Sequence, residues 1–264
     1  MAGTVRLHAD GDVAHLVLSN PGRRNAVSWS MLTDLADVVV GLHQDPRVSV
    51  VVLAGDGRDF CVGADLAAGP EQRTLRRDSV AADTARLSAV TATVTALHRL
   101  PQVTIAAVDG GCAGAGLSLA LAADLRIASA SAVFNTAFVS AGLSGDLGSA
   151  WHLVRAVGPA RAREVMLDPG RIDAERARSL DLVTRVVPAD ELPDAAAAWA
   201  RRLASHAPLA LRGAKQNLLA AVEDDLDAYL PGEIDRMVAS FHSADAQEAA
   251  AAFLERRKPV FVGR

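Results

Sequence analysis

"DGGCAGAGLSLALAADL", residues 109–125, decides how this chain is read. It ends a run of core-type residues, "QVTIAAVDG" (102–110), that reads as a buried strand, and it opens a helix at "LSLALAAD" (117–124). Glycine and alanine at such a junction let one backbone approach another, or approach a ligand. The first turn of a helix also carries N–H groups with no intrahelical acceptor, and such groups bind anionic or carbonyl oxygen. The first polar side chain inside the helix is Ser118, a hydroxyl too weak as acid or base to move a proton near neutral pH.

A second junction has the same texture. "GDGRDFCVGADL" (55–66) closes the apolar run "VSVVVLAGDG" (48–57). Two N–H donors from separate turns that converge on one oxygen form an oxyanion hole, which stabilises charge developing on a carbonyl. The plain alternative is that small residues only let strand and helix pack closely.

Outward from these turns, strands and helices alternate. "VRLHADGDVAHLVLSN" (5–20) reads as a hairpin turning at Asp10-Gly11-Asp12. "NAVSWSMLTDLADVVVGLHQD" (25–45) and "AADTARLSAVTATVTALHRL" (81–100) read as helices, the first starting near Asn25 or Ser28. "LRIASASAVF" (125–134) reads as one further strand. This pattern predicts α/β layering. After Pro188 every segment reads as helix, which predicts a core over 1–190 and a helical region over 191–264. The charged, turn-rich "AAGPEQRTLRRDSV" (67–80) reads as a mobile loop.

Composition narrows the function. The chain has 264 residues, 50% of them hydrophobic, enough for a large core. A net charge of −4 without a sustained basic patch argues against nucleic acid. The two cysteines, Cys61 and Cys112, form no metal-like spacing with the seven scattered histidines, so no metal is expected. No apolar run reaches the roughly 18 residues of a membrane span, and no leader pattern stands at the start. The expectation is a cytoplasmic protein.

Two familiar motifs fail. Gly114-x-Gly116 lacks the third glycine of a dinucleotide fingerprint, since Leu119 stands there. "GLSLA" (116–120) approximates a nucleophile elbow, with Asp124, Asp146 and His152 downstream, but Ala120 replaces its second glycine and Ser118 lies inside the helix.

The two turns, with their flanks, resemble the enoyl-CoA hydratase/isomerase (crotonase) family. The matching segments are "NPGRRNAVSWSML" (20–32), "FCVGADL" (60–66), "IAAVDGGCAGAGLSLALAADLRIAS" (105–129), "VSAGLSGDLGSAWHLVRAVGPARAREVML" (139–167) and "AAFLERRKP" (251–259). The resemblance implies an α/β fold, a spiral of ββα turns with a C-terminal α-helical region, assembled as homotrimers or hexamers. It implies acyl-CoA thioester substrates, with coenzyme A carried by the substrate and no prosthetic group. It assigns the oxyanion donors to the backbone of Val62 and Ala115. It assigns CoA contacts to Arg23, Arg24, Ala26, Ala64, Asp65, Leu66 and Lys258, with Phe253 beside the last.

The chain departs from the family's hydratases at their two carboxylates. Those positions hold Ser118 and Phe138, and neither transfers a proton. Asp146 is the remaining acid, at a place where isomerase-like members carry one. A single carboxylate suffices to move a proton between carbons. The sequence therefore predicts double-bond isomerisation with Asp146 as base and acid, against a helix-capping role for the same residue. Hydration, or CoA-thioester binding with little catalysis, are the rivals. Ser118, Phe138 and Trp151 are expected to shape the acyl pocket.

Overall fold

A computed structural model describes residues 3–264. Strands β1 (Thr4–Asp10) and β2 (Val13–Ser19) pair antiparallel across Gly11, whose φ of 63° suits glycine at that turn. Helix α1 (Trp29–Gln44) starts at Ser28, whose Oγ accepts the Met31 N–H. Next come β3 (Val50–Gly55), α2 (Val80–His98) and β4 (Val103–Val108). The glycine-rich run forms β5 (Gly111–Ala113) and α3 (Ala115–Ala122). Strands β6 (Leu125–Ser129) and β7 (Val133–Asn135) lead to α4 (Ser149–Val157) and α5 (Pro159–Leu167). Then follow β8 (Ile172–Asp173), α6 (Ala174–Ser179) and β9 (Arg185–Val187). The chain ends in α7 (Leu192–Ala204), α8 (Pro208–Glu223), α9 (Leu226–Phe241) and α10 (Ala244–Glu255).

Six strands form one sheet in the order β1-β2-β3-β4-β6-β9, parallel from β2 onward. A small ladder, β5-β7-β8, is prolonged by single bridges between Cys61 and Cys112 and between Val27 and Ala64. Each unit of the spiral gives one strand to the large sheet, a short piece to the ladder, and then a helix: β3 with Cys61 and α2, β4 with β5 and α3, β6 with β7 and α4. The strand expected over 125–134 is for this reason two strands in two sheets. The turn between them is fixed by Ser129 and Ser131, whose hydroxyls both donate to Asp109 Oδ1.

The main core lies where α1–α4 pack on one face of the sheet, around Leu16, Leu35, Leu53, Leu97 and Leu119. The other face is covered by α7. There Val50, Val52, Ile105 and Ile127 meet Leu192, Ala196 and Trp199. The first helix of the all-helical region is thus part of the core rather than an appendage. The segment 67–80 is braced by two of its own arginines and one from α2: Arg73 donates to the Ala68 carbonyl, Arg76 to Glu71, and Arg86 to the Arg73 carbonyl. No helix among the described residues is long and apolar enough to cross a membrane.

Helix α8 is anchored by a buried ion pair. Lys215 Nζ, 5% exposed, lies 2.7 Å from Asp124 Oδ2 and donates to the Gln102 carbonyl at 2.8 Å. The same carboxylate oxygen accepts the Thr104 N–H and hydroxyl at 2.7 and 2.8 Å. Burial pulls the Lys215 ammonium below its ordinary value and Asp124 pushes it back. Removing one partner strands the other charge, so Lys215→Ala is expected to lower the unfolding free energy by about 3 kcal/mol. The paired change Asp124→Asn with Lys215→Met is expected to recover part of that loss. Urea unfolding midpoints check both.

Candidate functional site

The site is built where Cys61–Ala64 meets the start of α3. The Cys61 carbonyl accepts the Ala113 N–H at 3.0 Å, so the peptide that carries the Val62 N–H points away from β5. The Val62 side chain meets Gly111 instead, at a cavity of about 400 Å³ shared with Arg24, Asp59 and Asn135. One residue on, Gly63 turns the chain with φ 110°. Its carbonyl accepts the Val27 N–H at 2.8 Å, so the Ala64 N–H of the same trans peptide points away from Val27. A Cβ on Gly63 would stand 3.3 Å from the Ala113 carbonyl oxygen and 3.9 Å from the Ala115 nitrogen. The Gly114 carbonyl accepts the Ser118 N–H at 3.0 Å, which turns the Ala115 N–H out of the helix end. Among the described residues, Ala64 N–H and Ala115 N–H have no protein acceptor. The Val62 N–H, expected as the partner of Ala115, has no protein acceptor either, and its peptide turns away from β5. Ala64, read from the sequence as a CoA contact, holds the neighbouring free donor.

Asp146 lies in a turn of left-handed residues: Gly145 at φ 126°, Leu147 at φ 47° and Gly148 at φ 72°. Its carbonyl accepts the Ser149 N–H at 2.9 Å and the Ser118 hydroxyl at 3.3 Å. Its carboxylate Oδ1 is buried with no hydrogen-bond partner. Burial alone pushes that carboxyl up to about 6. Its charge also reaches the core: the Cys61 thiol is pushed up to about 12, by burial first and with Asp146 adding to it. Helix α4 begins at Gly148 with no side-chain cap, so Asp146 is not a capping residue.

Ser118 is fully buried, and its hydroxyl is shared between the carbonyls of Gly114 and Asp146, each at 3.3 Å. It bonds to no histidine, and Asp124 is engaged by Lys215, so no hydrolase triad exists. Phe138 is buried, and its carbonyl closes the turn to Ala141 and Leu143 that precedes Asp146. Trp151 stands one turn into α4 and lines a different cavity, of about 350 Å³, with His98, His152, Leu147 and Gly148. Trp151 thus stands beside the Leu147–Gly148 turn that follows Asp146.

The residues expected to hold CoA also divide. Arg23 and Asp65 line one cavity of about 310 Å³ with Asn20, Ser28 and Gln72. Ala26 is buried behind it, its carbonyl accepting Asn20 Nδ2 at 2.7 Å, while Leu66 is exposed. Arg24 is committed elsewhere, in a two-pronged pair with Asp59 at 2.8 and 2.9 Å. Lys258 is exposed, forms no ion pair and does not line this cavity. Asn20 opens the matching segment 20–32 but is assigned no role there, and Gln72 carries no motif that marks it in the sequence. Among the described residues no three His, Cys, Asp or Glu side chains are grouped to hold a metal ion.

Comparison with known proteins places this geometry. The family model for enoyl-CoA hydratase/isomerase matches residues 8–264. A probable enoyl-CoA hydratase of Mycobacterium tuberculosis is 36% identical over 260 residues, spanning 96% of this chain and 90% of the relative. The 1,2-epoxyphenylacetyl-CoA isomerase of Escherichia coli is 35% identical over 257 residues, 97% of each chain. A solved structure from Mycobacterium abscessus, titled a putative enoyl-CoA hydratase/isomerase, superimposes with a TM-score of 0.92 at 35% identity, covering 99% of this chain and 100% of that one.

The joint between ladder and α3 leaves no room for a side chain. A Cβ on Gly116 would stand 2.1 Å from the Cys61 carbonyl oxygen, which is backbone and has nowhere to move. Gly116→Ala is therefore expected to cost about 3 kcal/mol in a urea titration.

Proposed function

The chain belongs to the enoyl-CoA hydratase/isomerase family, and from that premise we propose that it migrates the double bond of an enoyl-CoA with Asp146 as the proton carrier. The observation that carries this reading is the half-buried Asp146 carboxylate, whose Oδ1 is buried without a hydrogen-bond partner and which is raised to about 6. A carboxylate stripped of donors is a stronger base than one in water, yet at neutral pH it remains mostly ionised.

The thioester oxygen of a 3-enoyl-CoA sits between the N–H groups of Ala64 and Ala115, taking Ala64 in place of Val62. Asp146 removes a proton from the α-carbon. The electrons move into the carbonyl, and the negative oxygen of the dienolate is held by the two N–H donors. The protonated Asp146 returns the proton to the γ-carbon, the carbonyl re-forms, and a 2-enoyl-CoA leaves. No water enters the balance. Hydration requires a second group to activate water, and Ser118 and Phe138 stand where that group is wanted. Phe138 helps to exclude water, and the Ser118 hydroxyl orients the Asp146 backbone. Arg23 and Asp65, which line one cavity, mark the approach of the CoA moiety. The relatives named hydratase keep water addition as the rival, read as loss of conjugated thioester absorbance with crotonyl-CoA.

Assembly completes the proposal. Helices α8–α10 expose Leu218, Ile234, Met237, Phe241 and Phe253, each more than half accessible. Ile234, Met237 and Phe241 recur at helical spacing along α9, and exposed apolar side chains in this number mark an interaction surface. We assign it to contacts between copies, in a homotrimer or hexamer. Light scattering after size exclusion should give three or six chains, and Met237→Glu with Phe241→Asp should give monomers.

Asp146→Asn should reduce α-proton exchange in deuterated water by about 10²–10⁴-fold while acyl-CoA binding persists. Retained exchange sinks the assignment. In the wild type the rate should rise with pH through about 6, as the buried carboxyl ionises. The same variant should be the more stable protein at neutral pH. The folded carboxyl is raised above its unfolded value, so its contribution is intact below about pH 4 and is lost as pH rises through about 6. The gain at pH 7.5 should be on the order of 2–3 kcal/mol, absent at pH 4.

A further inference from the structure

We propose that His152 is a positioning residue for Asp146: its ring packs against Gly148 and holds the left-handed turn that keeps the carboxylate in place. The proposal rests on Asp146 being the base. The turn needs such a support. Leu147 has φ 47° and is buried, a backbone region that non-glycine residues avoid, and it is flanked by Gly145 at φ 126° and Gly148 at φ 72°. Conformations of this kind persist where their surroundings over-determine them.

The surroundings act from two sides. On one, a Cβ at Gly145 would stand 2.9 Å from Met166 Cε and 3.0 Å from Ser149 Oγ. On the other, the place of a Cβ at Gly148 lies 3.3 Å from His152 Cδ2 and 3.5 Å from Nε2. The His152 N–H also donates to the Gly148 carbonyl at 3.0 Å. The ring cannot drift away, because it is wedged edge-on between His98, 4.9 Å off, and Trp151, 4.8 Å off. Arg155 lies over the Trp151 ring at 3.6 Å and closes the stack.

The wedge works only as an uncharged ring. His98 faces it from α2, Arg126 from β6 and Arg155 from α4, and Arg99 and Glu223 stand at the cavity rim. Burial first, then His98, Arg126 and Arg155, hold His152 down to about 4. His98 is likewise lowered by burial, against the pull of Asp124, with Lys215 lowering it further. At working pH two neutral imidazoles therefore pack against each other and against the Gly148 backbone.

The test is the pH profile of α-proton exchange, measured on the full-length protein with acyl-CoA in deuterated water. For His152→Ala the acid limb should move from about 6 down toward the ordinary carboxylate range, because water reaches a carboxylate that is no longer held. Its kcat should fall at least about tenfold, with KM within about twofold. His152→Phe, which keeps an uncharged ring against Gly148, should restore both. Gly148→Ala adds a Cβ both at φ 72° and against the ring, so the share of its effect that disappears in combination with His152→Ala belongs to the ring. His152→Leu, apolar but without the ring, serves if His152→Ala does not fold. An unchanged limb and kcat in His152→Ala overturns the proposal. So does a change in KM alone, or a failure of His152→Phe as deep as that of His152→Ala. Exchange that persists in Asp146→Asn defeats the assignment of the base. Exchange lost there but normal in His152→Ala defeats this proposal alone.

Discussion

One carbonyl oxygen, that of Cys61, sets the geometry on which the site depends. It accepts the Ala113 N–H, which bonds the 61–64 segment to β5, and it occupies the space that any side chain at position 116 would need. The ladder and the first turn of α3 are thereby pressed together at backbone distance. Three consequences follow from that contact. Gly63 comes against Ala115, so that N–H groups from two turns are left free at one joint. Ser118 is carried one turn down α3 to the Asp146 carbonyl. And α3 is buried on every side, which is why its eight residues are nearly all apolar.

Much of this frame is legible in the sequence because it rests on local chemistry. The turn at Gly11, the cap at Ser28 and the apolar runs of β3 and β4 each follow from neighbouring residues. What the sequence hides is whatever depends on a distant partner. Arg24 reads as a free cation until Asp59, 35 residues away, takes both prongs of its guanidinium. The resemblance gives the donor to Val62 and only a CoA contact to Ala64. The bond from Val27 to the Gly63 carbonyl, which turns the Ala64 N–H the other way, is visible only in the fold. The run 125–134 shows no break in composition, yet the chain changes sheets within it, around Ser131, under the pull of Asp109.

Two carboxylates flank α3 and are treated in opposite ways. Asp124, just past its end, receives two hydrogen bonds from Thr104 and an ammonium from Lys215, and it ties the helical region to the sheet. Asp146, beside its middle, has an oxygen that receives nothing. The first arrangement satisfies a buried charge and serves the fold; the second leaves a charge unsatisfied and costs the fold stability. A protein keeps such a group where the group does chemistry, since full solvation or pairing would lower its basicity.

That contrast bears on why relatives carrying both hydratase and isomerase names share this scaffold. In the proposed mechanism carbonyl polarisation comes from the backbone, through peptide planes whose direction is fixed by the ladder and by the glycines at 63 and 116. It is therefore indifferent to the side chains at 62, 64 and 115. On that proposal the side chains free to differ are those given to proton transfer, above all at 118, 138 and 146. A hydroxyl at 118 and a phenyl at 138 remove two proton-transfer groups without disturbing the joint, since Ser118 still packs fully buried within α3. What remains, on the proposed reading, is one base at Asp146 with the buried Phe138 near it in the chain. Moving a proton from one carbon to another needs that much, while activating water needs more. The chemistry can thus change by substitution at three positions while the contact at the Cys61 carbonyl stays as it is.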